Sequence, residues 1–300
     1  MNPKRKFQIT SDDYQLLNFL WKWKFSTTAI LHQAIYQQRN INRCYRRLIS
    51  LEKNKIIESV TSRDRFTTLW QLTDLGFRHL NFDGLERDQN GYKSEHPEHD
   101  FWVSLIHLGG WVDGIPKNAE LFTEQQLRSY NIESYPDWVP HTKQHRPDGL
   151  WNTDTGKSNR ESLVALEVEF SRKAAGIYSE VGDFYSNIID VSQVVWVVKS
   201  LTDANFILKN LSNGSSTGAR EHSFILLSHF IEFKWQAPIS VGNHVGKQLL
   251  QILGSVKTPG ASLGTTKGYL DVRKKPIDST NMRLMTQAEL GVSKNIYLSK

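Results

Sequence analysis

Two β-forming runs near the middle of the chain constrain its fold more than any other feature. Leu163-Val164-Ala165-Leu166-Glu167-Val168-Glu169-Phe170 alternates, so Val164, Leu166, Val168 and Phe170 share one face of a strand while Glu167 and Glu169 share the other. Ser192–Val198 is a second run, strongly β-forming, and the stretch between them, from Ser171-Arg172-Lys173 to about Ile188, has helical length and pattern. Strand, helix, strand is the building unit of an α/β sheet. Upstream, Pro97 opens a helix expected to stop at Leu108 before Gly109-Gly110, and Glu120-Leu121-Phe122 is a short strand. His145-Arg146-Pro147-Asp148-Gly149-Leu150-Trp151 then brings an aspartate to the edge of another strand, followed by a polar turn over 152–160. Downstream, Phe224–Phe233 reads as strand and Val245–Leu253 as helix. The sum is an α/β domain with a mixed central sheet flanked by helices.

The chain in front of this core is different in charge and in pattern. The first 65 residues carry 13 Lys/Arg against 5 Asp/Glu, a surplus of +8, which leaves the other 235 residues at −2. Ser11 is an expected N-cap with Asp12-Asp13 in the first turn, ahead of Leu16, Leu17, Phe19, Leu20 and Trp23 at helical spacing. A second helix is predicted over Thr27–Tyr36 and a third from Asn42 to about Asn54, where Ile41, Cys44, Leu48 and Leu51 form the apolar stripe. Ile56–Val60, a basic tip at 61–65 and Thr67–Leu72 read as strand, tip, strand, and Leu72–Leu80 as a closing helix. Three helices followed by a basic hairpin is the order of a winged helix-turn-helix. Arg43, Arg46 and Arg47 on the third helix, with Arg39 before it, are the candidate groove and phosphate contacts, and Arg63 and Arg65 would serve from the wing.

These readings divide the chain into a winged helix-turn-helix at 1–85, a linker at 86–94, an α/β domain at 95–240 and a partly looped C-terminal extension at 241–300. Low-complexity patches at 212–218 and 257–268 read as loops. With 39% hydrophobic residues and 33 aromatics the chain can bury a core, which excludes wholesale disorder. No apolar run approaches the roughly 20 residues of a membrane span, and the basic start has no apolar signal segment. Cys44 is the single cysteine, which rules out an internal disulfide or a multi-cysteine zinc site and suits a reducing cytoplasm.

Two carboxylates side by side on one strand face repel each other by about 1 kcal/mol or more when partly solvated, so something positive should offset them. A divalent cation held by Asp148 and Glu167, with Glu169 as a further ligand or base, would do so. Mg²⁺ or Mn²⁺ favours such oxygen ligands and keeps waters, one of which can attack a phosphodiester. Lys173, four residues past Glu169, would orient that water or steady the charged phosphorus.

Pro147-Asp148 followed by Glu167-Val168-Glu169 on a strand resembles the PD-(D/E)xK signature of restriction-type nucleases, with Glu169 at the usual lysine position. With the winged helix in front, residues 10–200 are similar to the MobC class of conjugative relaxases and to plasmid replication-relaxation proteins. The resemblance implies a restriction-endonuclease-like core in which Asp148, Glu167 and Glu169 match the acidic set and Lys173 the lysine. It implies metal-dependent nicking of one strand of double-stranded DNA at a transfer-origin-like site, with relaxosome accessory and coupling proteins as partners. Two other outcomes stay open: a double-strand endonuclease of a restriction or transposition system, for which a homodimer would cut both strands, and a catalytically inactive DNA-binding repressor or replication-control protein, which Glu169 in the lysine position favours.

Other chemistries fit less well. His96-Pro97-Glu98-His99 has the wrong order for a zincin motif and reads as a helix start. His141 and His145 read as loop histidines, Tyr178 and Tyr185 as core packing, and Cys44 as buried and inert.

Overall fold

The structure is a computed structural model that describes residues 7–61, 68–80, 93–113, 120–130, 132–141, 144–152, 163–188, 190–211 and 221–252. Arg63 and Arg65, most of the expected linker, the turn after Asn152, both expected loop patches and residues 253–300 lie outside the described residues. The described chain forms two compact units, 7–80 with 93–94, and 95–252. No helix among the described residues is long and apolar enough to cross a membrane.

The first unit runs α1 (Ser11–Trp23), β1 (Phe25–Thr27), α2 (Thr28–Ile35), α3 (Ile41–Lys53), β2 (Ile57–Thr61), β3 (Thr68–Leu72) and α4 (Asp74–Arg78). Its three strands form an antiparallel sheet in the order β1-β3-β2. The cap of α1 is Thr10 rather than Ser11. Thr10 Oγ1 accepts from the Asp13 amide at 3.3 Å while the Asp13 carboxylate accepts from the Thr10 amide at 2.6 Å, a reciprocal capping box that only this register closes. Cys44, Leu48 and Leu51 are buried on α3 as expected, but Ile41 is 41% exposed, because the stripe turns away from the core at the helix's first residue. The closing helix is shorter than 72–80: Leu72 belongs to β3 and Thr73 caps α4 by accepting from the Gly76 amide at 3.0 Å. A side chain at Gly76 would put Cβ 1.9 Å from the Ile56 carbonyl oxygen, so glycine is what allows α4 to seat against the start of β2.

One buried ion pair ties α3 to α1. The Asp13 residue is fully buried and accepts from Arg47 Nε at 2.8 Å, from a terminal nitrogen of the same guanidinium and from Thr10. Arg47 also donates to the Gln8 carbonyl at 2.7 Å and lies over the Phe7 ring. Burial pushes the Asp13 carboxyl up, but the Arg47 and Thr10 hydrogen bonds outweigh it and hold the group below its ordinary 3.8.

The second unit runs α5 (Pro97–Asp113), β4 (Glu120–Thr123), α6 (Glu124–Ser129), β5 (Gly149–Asn152), β6 (Leu163–Glu169), α7 (Ala175–Asn187), β7 (Val191–Val198), α8 (Leu201–Leu211), β8 (Glu221–Leu226), α9 (Leu227–Phe233), β9 (Val241–Gly242) and α10 (Leu249–Ile252). Six strands form one mixed sheet in the order β4-β5-β6-β7-β8-β9, parallel from β6 to β8 and antiparallel on both flanks. The α/β reading with a mixed, helix-flanked sheet holds. Four details differ. α5 passes through Gly109-Gly110 to Asp113, since two glycines weaken a helix without ending it. The run from Phe224 leaves the sheet after Leu226 and becomes α9. The helix expected over 245–253 is only Leu249–Ile252. Residues 241–252 are no appendage: β9 pairs with β8, and Leu249 and Ile252 are buried.

Register shows which face each residue serves. Leu163 and Ala165 join Tyr178, Tyr185, Trp196, Ile207 and Phe224 in a core under α7 and α8. Trp151 stands opposite Val164 on the other face, where the His107 ring from α5 meets it edge-on at 5.0 Å and Trp235 lies at 5.4 Å. Trp235 Nε1 in turn donates to the Ile106 carbonyl at 3.1 Å. Both faces are covered, so every residue of β6 is buried, the two glutamates included.

Arg47→Ala should destabilise the first unit by about 2–4 kcal/mol, the cost of leaving a buried carboxylate without its partner. Because the folded carboxyl titrates below 3.8, the stability it contributes is complete above that value and disappears as pH falls through the lower folded value. Denaturant unfolding followed by tryptophan fluorescence should show that acid-side loss in the wild type and a weaker one in Arg47→Ala; equal curves would refute the role given to this pair.

Candidate functional site

The chemistry-bearing residues of the second unit meet at the C-terminal end of β6. β5 starts at Gly149, and the Asp148 amide donates to the Leu166 carbonyl at 3.0 Å, extending the β5–β6 ladder by one bond. The next inward-facing donor on that side is the Val168 N–H, and the Asp148 carboxylate takes it at 2.6 Å. Asp148 therefore continues the ladder with its side chain after the backbone has turned away. Gly149 allows the His107 ring to pack against this backbone: a Cβ there would lie 2.1 Å from His107 Nε2. His107 is fully buried, accepts from Trp151 Nε1 at 2.6 Å, and is kept neutral by burial, which lowers its pKa to about 4. It acts as a fixed wedge behind the Asp148–Gly149 backbone.

Glu167 and Glu169 project toward α7, as alternation predicts, but they are not solvent-facing: they are 8% and 7% exposed. Each has its own positive partner. His145 Nε2 lies 2.6 Å from Glu167 Oε1, and the Tyr185 hydroxyl donates to the same oxygen. Lys173 Nζ sits 2.8 Å from Glu169 Oε2, whose other oxygen accepts from the Ser171 amide at 3.3 Å. His99, from the first turn of α5, places Nε2 3.0 Å from the Val168 carbonyl oxygen and 3.4 Å from Asp148 Oδ2, with Nδ1 3.3 Å from Asp100 Oδ1.

Four carboxylates, those of Asp100, Asp148, Glu167 and Glu169, thus gather with His99, His145 and Lys173 at one end of a buried strand. Burial works against a charged His99, but Asp100 and Asp148 outweigh it and hold its pKa at about 10. Burial likewise opposes charge on His145 and Lys173, yet Glu167 raises the first and Glu169 the second. Burial raises the Glu167 carboxyl, His145 draws it back, and the Asp148 charge adds to the rise. Tyr185 is pushed well above its ordinary value by burial and by the Glu167 charge, so its hydroxyl keeps its proton and serves as a donor rather than a nucleophile.

Of the expected site residues, Asp148, Glu167, Glu169 and Lys173 are brought together. The expected three-carboxylate metal set is not assembled, and among the described residues no group of three His, Cys, Asp or Glu side chains is arranged to hold a metal ion. The carboxylates leave a hard cation at most two open oxygens, not three. No hydrogen bond among the described residues reaches Asp148 Oδ1 or Glu167 Oε2, whereas both oxygens of Glu169 are engaged. His99, His145 and Tyr185, assigned by sequence to a helix start, a loop and the core, are part of the cluster. His145 had a local signal, lying three residues before Asp148; His99 is 69 residues from Val168 and had none.

The candidate arginines of the first unit separate into two groups. Arg47 is committed to Asp13, and Arg39 pairs with Asp12 while stacking on the Tyr36 ring. Arg43 and Arg46 are exposed on α3, with Arg46 Nε donating to the Asn42 carbonyl at 3.2 Å.

A raised histidine pKa stabilises the fold fully below the ordinary value of 6.5 and loses that contribution as pH climbs to the folded value of about 10. Wild-type stability should therefore fall between pH 7 and 10, and His99→Gln should flatten that slope; a histidine resonance at position 99 titrating near 6.5 by NMR would contradict the pairing with Asp148. No family model, no curated protein and no solved structure matches this chain.

Proposed function

We propose that the protein binds duplex DNA through its first unit and hydrolyses a phosphodiester at the end of β6, nicking one strand. The first unit reads as a winged helix-turn-helix and the second as a restriction-endonuclease-like core of PD-(D/E)xK type. The observation that carries the reading is that Asp148 and Glu167, both at the end of β6, each have one oxygen fixed and the other unbonded among the described residues, with His145 on Glu167 and Lys173 on neighbouring Glu169. Asp148 and Glu167 would hold Mg²⁺ or Mn²⁺, ions commonly bound by one or two carboxylates with the rest of the shell supplied by water and phosphate. When bound, such an ion acidifies a coordinated water and screens phosphate charge.

The chain's own residues supply the rest. Asp148 is oriented by the Val168 amide and by His99, and Glu167 by Tyr185 and His145. The Lys173 ammonium, anchored by Glu169, and the His145 imidazolium place positive charge where negative charge grows on the phosphorus oxygens. Water attack leaves no covalent protein–DNA link. A transfer-origin-like duplex, relaxosome accessory and coupling proteins, and a cytoplasmic setting belong to the same reading.

A second reading, DNA binding without cleavage, rests on the internal cation that each carboxylate already has. The two separate in one assay. With Mn²⁺ and a supercoiled plasmid carrying a site selected by the protein itself, wild type should yield open circles, and Asp148→Asn or Glu167→Gln should slow the cut by about 100-fold or more while binding persists. Linear product would indicate double-strand cleavage, and intact plasmid with retained binding would establish the non-cutting protein. In a separate binding titration, Arg43→Glu with Arg46→Glu should weaken duplex affinity and reduce the salt slope by about 2. An unchanged slope would remove α3 from the interface.

A further inference from the structure

The ion pairs of Arg39 and Arg47 with α1 change what α3 can present to a partner, and the residues left on its outer face form a specific pattern. Buried Cys44, Leu48 and Leu51 fix the inner side of the helix. At 100° per residue, the line opposite their mean direction runs between Asn42 and Arg46, one turn apart, with Lys53 close to it near the far end of the helix and Arg43 and Tyr45, the latter 49% exposed, on the two flanks. The Asn42 backbone is occupied, its amide donating to Asn40 Oδ1 at 2.8 Å and its carbonyl accepting from Arg46 Nε. No hydrogen bond among the described residues reaches the Asn42 side-chain amide. The bond from Nε lays the Arg46 arm back along the helix and leaves its two terminal nitrogens free of any hydrogen bond within the described chain.

A carboxamide and a guanidinium are the side-chain types best suited to base edges, and Asn42 and Arg46 carry them nearest the outermost line of the helix's first two turns. A carboxamide offers one acceptor and one donor to adenine N6 and N7, and a guanidinium offers two donors to guanine O6 and N7. Side chains four residues apart on a helix are separated by about 5–6 Å, against a rise of about 3.4 Å per base pair, so the two reach base pairs one or two steps apart. Their place in the first turns of α3 matches the part of a recognition helix that meets base edges. An arm already tied to the backbone loses less freedom on binding.

We propose that Asn42 and Arg46 are the sequence-reading residues of α3, selecting an adenine and a guanine within two base-pair steps, and that Arg39 and Arg47 hold the helix in place instead of touching DNA. The inference rests on the duplex-binding reading of the first unit. The test is selection from a randomised duplex library by the full chain, repeated with Asn42→Ala and Arg46→Ala, with circular dichroism to verify folding. The wild-type consensus should hold one adenine and one guanine at that spacing. Asn42→Ala should lose preference at the adenine alone and Arg46→Ala at the guanine alone, each reducing affinity for the selected site by roughly 5- to 150-fold. On random DNA, Asn42→Ala, which removes no charge, should keep the wild-type salt slope, and Arg46→Ala should lose at most about one unit of it. A folded Asn42→Ala or Arg46→Ala variant that selects the wild-type consensus overturns the assignment, as does wild-type binding of ordinary salt dependence with no consensus. Failure of the folded wild type to bind any duplex instead overturns the DNA-binding reading beneath it.

Discussion

Charge compensation inside the second unit governs what the end of β6 can be. A strand covered on both faces has no water to spare for two carboxylates, and a third approaches from β5. Such a cluster folds only if each negative charge meets a positive group or a donor at short range. His99, His145 and Lys173 meet that requirement from three separate segments: the first turn of α5, the loop before β5 and the turn before α7. The positive counterpart that the sequence demanded is therefore present within the chain. A cation would join carboxylates that already have positive partners within the chain instead of rescuing a wholly repulsive set.

The first unit solves a related problem by a different route. Asp13 caps its own helix and at the same time receives the Arg47 fork, so one buried carboxylate secures both the start of α1 and the seating of α3. A count of basic residues makes α3 look uniformly cationic. Two of its nearby arginines are nevertheless already paired with acidic residues of α1, and the net field on the outer face comes from fewer groups. Charge surplus by segment identifies a candidate interface; it does not say which side chains remain available to form one.

Most of the fold was legible because its signals are local. Alternation in Leu163–Glu169, the valine-rich run ending at Val198 and the apolar stripe of α3 each lie within a single element, and apart from exposed Ile41 and a one-residue shift at Val191 they appear where the pattern predicts. β1 was not legible, because three residues between two helices carry no periodicity and become a strand only by pairing with β3. The α9 segment reads as strand for a related reason: Phe230 is buried whether the chain is extended or coiled. In the site, Asp148, Glu167, Glu169 and Lys173 are legible by residue type and strand alternation. His99, by contrast, arrives through α5 from 69 residues before Val168, and Tyr185, only 18 residues from Glu167, carries no signal that separates it from core packing. Distances of this kind are set by tertiary packing, which no spacing rule encodes.

The margins of the six-stranded sheet carry a consequence for assembly. One margin is the four-residue β4 and the other the two-residue β9, which ends at Gly242 with φ near 102°. Among the described residues both margins are short, one of the ways in which natural sheets resist growing into one another. The sheet, over the described residues, would then offer a second copy only short margins to pair with.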